Sequence, residues 1–172
     1  MVIFTAGHGA RAIDELVVML VAIGARTVVD VRRFPGSRRH PQFGHERLAK
    51  ALAKVGIGYR HEVELGGYRQ GEPGAERYGC VATPGFRSYL ARMGRPEWQT
   101  ALQRAISEQA PCLLCAETVW QRCHRRFIAE LLTARGYEVV HLLAPGRAEP
   151  HRPLDEAEYR QGRLYLCGQL VA

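Results

Sequence analysis

Thr27-Val28-Val29-Asp30-Val31-Arg32-Arg33-Phe34-Pro35-Gly36-Ser37-Arg38-Arg39-His40 is the stretch on which the fold turns. Its opening residues are mostly β-branched and predict a short buried strand. Pro35 and Gly36 then set a turn, and the chain leaves the strand in a dense run of cations. Upstream, Ile13, Leu16, Val17, Leu20 and Ile23 recur at helical spacing, with Gly24 as a stop and a strand over residues 2–5 before them. Downstream, residues 45–55 read as a helix ended by Gly56, and residues 57–60 as a third strand. Residues 84–93 and 96–109 read as helices, each with proline near its start. A buried strand over 112–116, a helix over 120–135 and a strand over 138–143 complete the alternation. Strand, helix, strand in repetition predicts an α/β fold: a three-layer domain with a central, mostly parallel sheet of about five strands and helices on both faces.

The 172 residues suit one domain spanning 1–172. Residues 61–83 hold five glycines and read as a long loop or excursion. The tail, 144–172, carries Pro145, Pro150 and Pro153 and is expected to wrap the surface, with Tyr165-Leu166-Cys167 as an added edge strand. Hydrophobic residues at 47% and charged residues at 24% are ordinary for a globular protein, so disorder is not the default reading. No apolar run approaches the roughly 20 residues that cross a bilayer, so no membrane partner is expected, and no secretory signal is visible. Five cysteines, an odd number without disulfide spacing, are expected as free thiols in a reducing cytosol, which makes the expected location cytoplasmic.

The formal net charge of +7 comes mostly from arginine, whose planar fork of donors matches phosphate and carboxylate oxygens. Ligands of parallel sheets bind beyond the carboxyl ends of the strands. That rule selects residues 6–11, 32–44 and 117–125, which hold the polar residues of most interest. Four arginines within eight residues make the loop after Asp30 a candidate anion cradle, with Arg32, Arg33, Ser37 and Arg38 as ligands. The competing reading is a solvated loop with one structural Asp30–arginine pair. His8, between Gly7 and Gly9, joins the candidate anion ligands by position, as does Arg125. The partner expected is therefore an anion: phosphate, a nucleotide or nucleic acid.

Cys115-Ala116-Glu117-Thr118-Val119-Trp120-Gln121-Arg122-Cys123-His124-Arg125 is the second chemical segment. Thr118 and Gln121 have capping-box spacing, which predicts Thr118 as a helix N-cap. A thiol at Cys115 would then lie near a helix amino end that stabilises its thiolate. Asp30, Cys115, Glu117 and His124 are the candidate catalytic residues: Asp30 and Glu117 as proton acceptors or arginine holders, and His124 as either a structural imidazole or a general acid or base. Cys123 reads as a small core residue facing Phe127. Cys112 and Cys115 do not predict a zinc knuckle, because residues three apart on a strand face opposite sides. No metal is expected, and the residues name no cofactor. Glu64-Leu65-Gly66-Gly67-Tyr68-Arg69 reads as a flexible wall or lid, and Tyr59, Tyr68, Tyr89 and Trp98 are available either to stack on a base or to pack the core.

Taken together these segments resemble the family called domain of unknown function 488. The matching pieces run in order over about residues 3–143: Gly7-His8, Asp30-Val31-Arg32-Arg33-Phe34-Pro35 with Ser37-Arg38, Phe43, Gly56-Ile57, Tyr59, Leu65-Gly66-Gly67, Phe86, Tyr89, Met93, Cys115-Ala116-Glu117 and Cys123-His124-Arg125. Gly9 stands where the family often has Ser or Asn. The resemblance implies an α/β fold and names no reaction. The strand–Cys115–loop–Arg122–helix order also looks like the active-site loop of rhodaneses and cysteine phosphatases, although the Cys115-to-Arg122 spacing is longer than the phosphatase signature and lacks its glycine. Three functions follow: an enzyme acting on a phosphorylated substrate, a thiol-dependent sulfurtransferase or phosphatase-like enzyme, and a non-catalytic nucleic-acid-binding module.

Overall fold

The computed structural model describes residues 1–36, 39–67 and 70–172. Ser37, Arg38, Tyr68 and Arg69, named above as candidates, lie outside the described residues.

The main sheet has six strands in the order β3-β2-β4-β1-β5-β6. They are β1 (Val2–Gly7), β2 (Thr27–Asp30), β3 (Gly58–His61), β4 (Pro111–Cys115), β5 (Glu138–Ala144) and β6 (Arg147–Pro150). The first five are mutually parallel, and β6 returns antiparallel to β5. The sixth strand, beyond the five expected, comes from the proline-bearing tail. Pro150 has no N–H to give a ladder, and an edge strand is where that is tolerated.

Five helices connect the strands: α1 (Ile13–Ala22), α2 (His45–Ala53), α3 (Pro84–Met93), α4 (Pro96–Ile106) and α5 (Arg125–Ala134). Successive residues of a strand point to opposite faces, and β4 shows the result. Cys112 and Leu114 enter one core cluster with Leu16, Leu20, Leu48 and Leu52 of α1 and α2. Leu113 and Cys115 enter the other, with Tyr89, Trp98 and Phe127 of α3, α4 and α5. The two cysteines of the 112/115 pair thus face opposite sides, as their spacing predicts.

Three expectations are corrected. Tyr165-Leu166-Cys167 does not join the main sheet; Arg163–Leu166 (β8) is the middle of a separate antiparallel meander with Ala157–Arg160 (β7) and Gln169–Leu170 (β9). Its Leu164, Leu166 and Val171 are buried in the same core cluster as α5. Not all the thiols are free: Cys80 and Cys167 form a disulfide across 87 residues of sequence, so the argument from five free thiols to a reducing compartment no longer stands. The third correction concerns the helix after β4, which starts later than its capping pattern indicates. A 3-10 turn, Trp120–Arg122, comes first, Cys123 is extended at φ −116° and ψ 150°, and α5 begins only at Arg125 with no side-chain cap. The Val119 N–H is instead accepted by the Glu117 carboxylate at 3.0 Å.

Candidate functional site

Strands β2, β4 and β1 are consecutive in the sheet, so the loops leaving their carboxyl ends are neighbours. Main-chain bonds lock two of them together: His8 N–H donates to Cys115 C=O at 2.9 Å, and Gly9 N–H to Ala116 C=O at 2.8 Å. The approach is so close that a Cβ on Gly7 would fall 1.9 Å from the Glu117 carbonyl oxygen. Gly7 thus lets one loop approach another. The β2 loop joins through His124, whose Nε2 lies 3.0 Å from the Val31 carbonyl.

Between these loops lies a cleft made of adjoining cavities. The first, about 570 Å³, is lined by His8, Arg32, Phe34, Arg39, His40 and Glu117 among others. The second, about 360 Å³, shares Arg32, Phe34 and Glu117 with it and adds Arg33, Phe86, Arg122, Cys115, Cys123 and His124. A third, about 300 Å³, continues past Phe86 and His124 to Thr83 and Tyr89.

Asp30 and Arg32 are a structural pair at the root of this cleft. Asp30 is fully buried and accepts bonds from Arg32 Nε at 2.8 Å, Arg32 Nη2 at 2.5 Å, the Arg32 N–H at 3.0 Å and the Tyr59 hydroxyl at 2.7 Å. Burial, then the neighbouring Asp30, pushes the Tyr59 phenol well above its ordinary value. Arg32 Nη2 also donates to the Phe43 carbonyl at 2.9 Å, and Nη1 meets His8 Nε2 at 3.1 Å. His8 stacks on Phe43 with ring centroids 4.3 Å apart, and its Nδ1 lies 2.9 Å from the Gly9 carbonyl. Burial above all, with Arg32 adding to it, pushes the imidazole down to about 4, so it is neutral near pH 7. Its Nδ1–H then donates to Gly9, and its Nε2 lone pair accepts from Arg32.

The floor of the second cavity holds Cys115, Cys123 and His124, which are 6%, 4% and 8% exposed. With Nε2 directed at the Val31 carbonyl, the His124 Nδ1 faces both sulfurs: Cys123 Sγ at 3.6 Å and Cys115 Sγ at 3.8 Å. The three ligand atoms all lie within 4.8 Å of one another, so this is the group among the described residues able to hold a metal ion. The hydrogen bond with Cys123, then burial, pushes the Cys115 thiol up. Burial opposes ionisation of Cys123 too, but Cys115, His124 and Arg125 outweigh it and bring that thiol down. Tyr89 stands edge-on to the His124 ring at 5.0 Å, and Gly67 packs against it so tightly that a Cβ there would lie 2.5 Å from Nδ1. Gly66 is equally tight against the Arg33 backbone, where an added Cβ would lie 2.6 Å from the Arg33 Cα. The Gly66-Gly67 pair is therefore a close-packed wall.

A family model for the domain of unknown function DUF488 matches residues 12–132. The chain belongs to this family. No curated protein and no solved structure matches it. The DUF488 match runs from the start of α1 into α5, so it contains the β2 loop and the Cys115–His124 segment, while Gly7-His8 and the tail fall outside it.

Of the residues picked from the sequence, Arg33, Cys115, Glu117 and His124 come together at the second cavity, and Arg32 reaches it with most of its donors engaged. His8 lines the first cavity. Asp30 lies beneath, saturated by Arg32 and Tyr59. Arg125 is 1% exposed and turns away from the cleft, donating to Thr5 Oγ1 at 2.9 Å and to the Glu117 carbonyl at 2.5 Å. It braces the Glu117 loop from below. Cys123, read as a core filler, is part of the site; its signal was the adjacent His124, hidden by placing both inside a helix. Arg39 and Arg122, exposed on the cleft walls, complete the cationic rim.

Proposed function

We propose that this DUF488 protein is an enzyme that holds a phosphorylated or similarly anionic substrate in the arginine-walled cleft and acts on it at the Cys115–Cys123–His124 floor. The observation that supports this most is the meeting of three strand-end loops at one cavity, with guanidinium groups on its walls and a buried thiol–imidazole cluster beneath them. The reading takes the two core clusters as helical layers on either face of the sheet, which leaves the strand ends as the natural place for a ligand. Arg33, Arg39 and Arg122 are the anion-holding residues in this reading, with the one remaining donor of Arg32 beside them. Asp30 and Arg125 hold the frame.

A nucleic-acid-binding module would need the basic rim and have no use for two thiols and an imidazole gathered at its floor. Thermal unfolding with added phosphate, pyrophosphate and nucleoside monophosphates tests the proposal. Stabilisation that grows with anion concentration and is lost in Arg122→Ala is expected. No shift with any of them, or an equal shift in the variant, overturns the assignment of the anion to this cleft.

A further inference from the structure

We infer that Cys115, Cys123 and His124 form a binding site for one thiophilic divalent cation, zinc by ligand preference, with its fourth position open to the cleft. This stands on the floor residues alone and does not depend on the anion reading.

The distances are the first support. Zinc takes thiolate sulfur at about 2.3 Å and imidazole nitrogen at about 2.0–2.1 Å in a tetrahedron, so sulfur and nitrogen ligands on one ion are held about 3.6 Å apart. The two Sγ···Nδ1 separations are 3.6 and 3.8 Å. The second support is the imidazole's outer contact. Nε2 sits 3.0 Å from the Val31 carbonyl, which fixes the tautomer and turns the Nδ1 lone pair inward, as metal-ligating histidines are commonly held. Cys115 shares a hydrogen bond with Cys123, which itself meets Nδ1; a cation would instead engage all three atoms at once.

Charge and space agree. Two thiolates cancel a divalent cation, and Cys123 lies just before the amino end of α5, which favours negative charge. Gly67 contributes no Cβ in front of Nδ1, where any side chain would collide. Arg33, Phe34 and Arg122 border the same cavity, so the open position faces the walls proposed to hold an anion. Three protein ligands with a free fourth position is the pattern of catalytic zinc rather than structural zinc, and two thiolates with an imidazole select zinc over magnesium or calcium.

The test loads the full chain, its buried thiols reduced, with cobalt(II) and then zinc. The expected result is one cobalt per chain, with a thiolate-to-cobalt absorption band and the intense visible bands of four-coordinate cobalt. Zinc should displace it stoichiometrically and slow alkylation of Cys115 and Cys123. Cys123→Ser should weaken the band and lower the affinity, while Cys112→Ser, whose sulfur faces the other core cluster, should leave both unchanged. Gly67→Ala should abolish loading with both thiols intact. Folded, reduced protein that shows no thiolate–cobalt band, or alkylates equally fast with and without zinc, overturns the site and leaves a metal-free dithiol. Binding unaltered in both Cys123→Ser and Gly67→Ala overturns it as well. Failure here leaves anion stabilisation of the parent protein unaffected, so the two proposals fail separately.

Discussion

Two buried histidine clusters lie near Arg125, and they differ in what surrounds them: one is enclosed between strands, a helix and the C-terminal meander, and the other floors a cavity. In the first, Thr5 Oγ1 lies 2.7 Å from His141 Nδ1, His141 Nε2 lies 3.1 Å from His151 Nδ1, and His151 Nε2 lies 3.1 Å from the Glu130 carboxylate. Arg125 feeds the Thr5 end at 2.9 Å, Leu154 N–H and the Tyr159 hydroxyl close the Glu130 end, and Trp120 stacks on His141 with centroids 4.1 Å apart. The chain ties β1, β5, α5 and the C-terminal meander together, with His151 Nε2 meeting Glu130 as a close charge contact rather than as a hydrogen bond. In the second cluster, two sulfurs converge on one nitrogen at the floor of an open cleft. A polar network closed off from solvent holds a fold, whereas one that faces a cavity is placed for something that arrives from outside.

The sharpest way to break this comparison is to remove the carboxylate of the closed network. Glu130→Ala strands the Leu154 N–H, the Tyr159 hydroxyl and His151, and a loss of about 3–5 kcal/mol is expected in urea unfolding, as for other broken buried pairs. A cost within the scatter of surface substitutions would show that the network is not structural. Acid should find the same network next. Burial, helped by His151, pushes His141 down to about 3, below its ordinary value near 6.5. Since the folded value lies below the unfolded one, the stability held by the neutral ring is fully present above about pH 6.5 and drains away as pH falls toward about 3. Unfolding free energies from pH 7 down to pH 4 check this, and a His141→Gln variant should show a flatter decline.

The open cluster should respond in the opposite manner, with function lost and the fold largely kept. Cys123→Ser changes one atom of a 4%-exposed side chain, and a stability change of about 1 kcal/mol is expected beside a clear loss of cobalt affinity. The smallest effect on the fold belongs to Arg122→Ala on the exposed wall, within about 0.5 kcal/mol, with loss of the anion-induced rise in melting temperature. If Cys123→Ser unfolded the protein as severely as Glu130→Ala, the two clusters would not differ in kind.

What the sequence revealed and what it concealed follow from the range of the forces involved. The β2 strand and its arginine loop were legible because β-branching and a Pro-Gly turn act locally, and the nearness of the β1 and β4 loops followed from a topological rule. The helix start was missed because Trp120 is taken up by stacking on His141, a contact across 21 residues, so the chain goes extended at Cys123 before α5 begins. Cys123 thereby leaves the helix face predicted for it and turns toward His124 Nδ1. The Cys80–Cys167 bridge joins the 61–83 excursion to the turn after β8, and no spacing signals such a distant pair. Arg32 shows a subtler limit. Its place was foreseen, but Asp30, Phe43 and His8 between them take four of its five donors, and only coordinates reveal how far a guanidinium is already spoken for.

The most direct test of a ligand site where the three loops meet is diffraction from a crystal soaked in tungstate, a heavy analogue of phosphate. The account predicts anomalous density in the cleft above the Cys115–Cys123–His124 floor, touched by Arg33 or Arg122. Strong density elsewhere on the molecule, with the cleft empty at saturating tungstate, would contradict it.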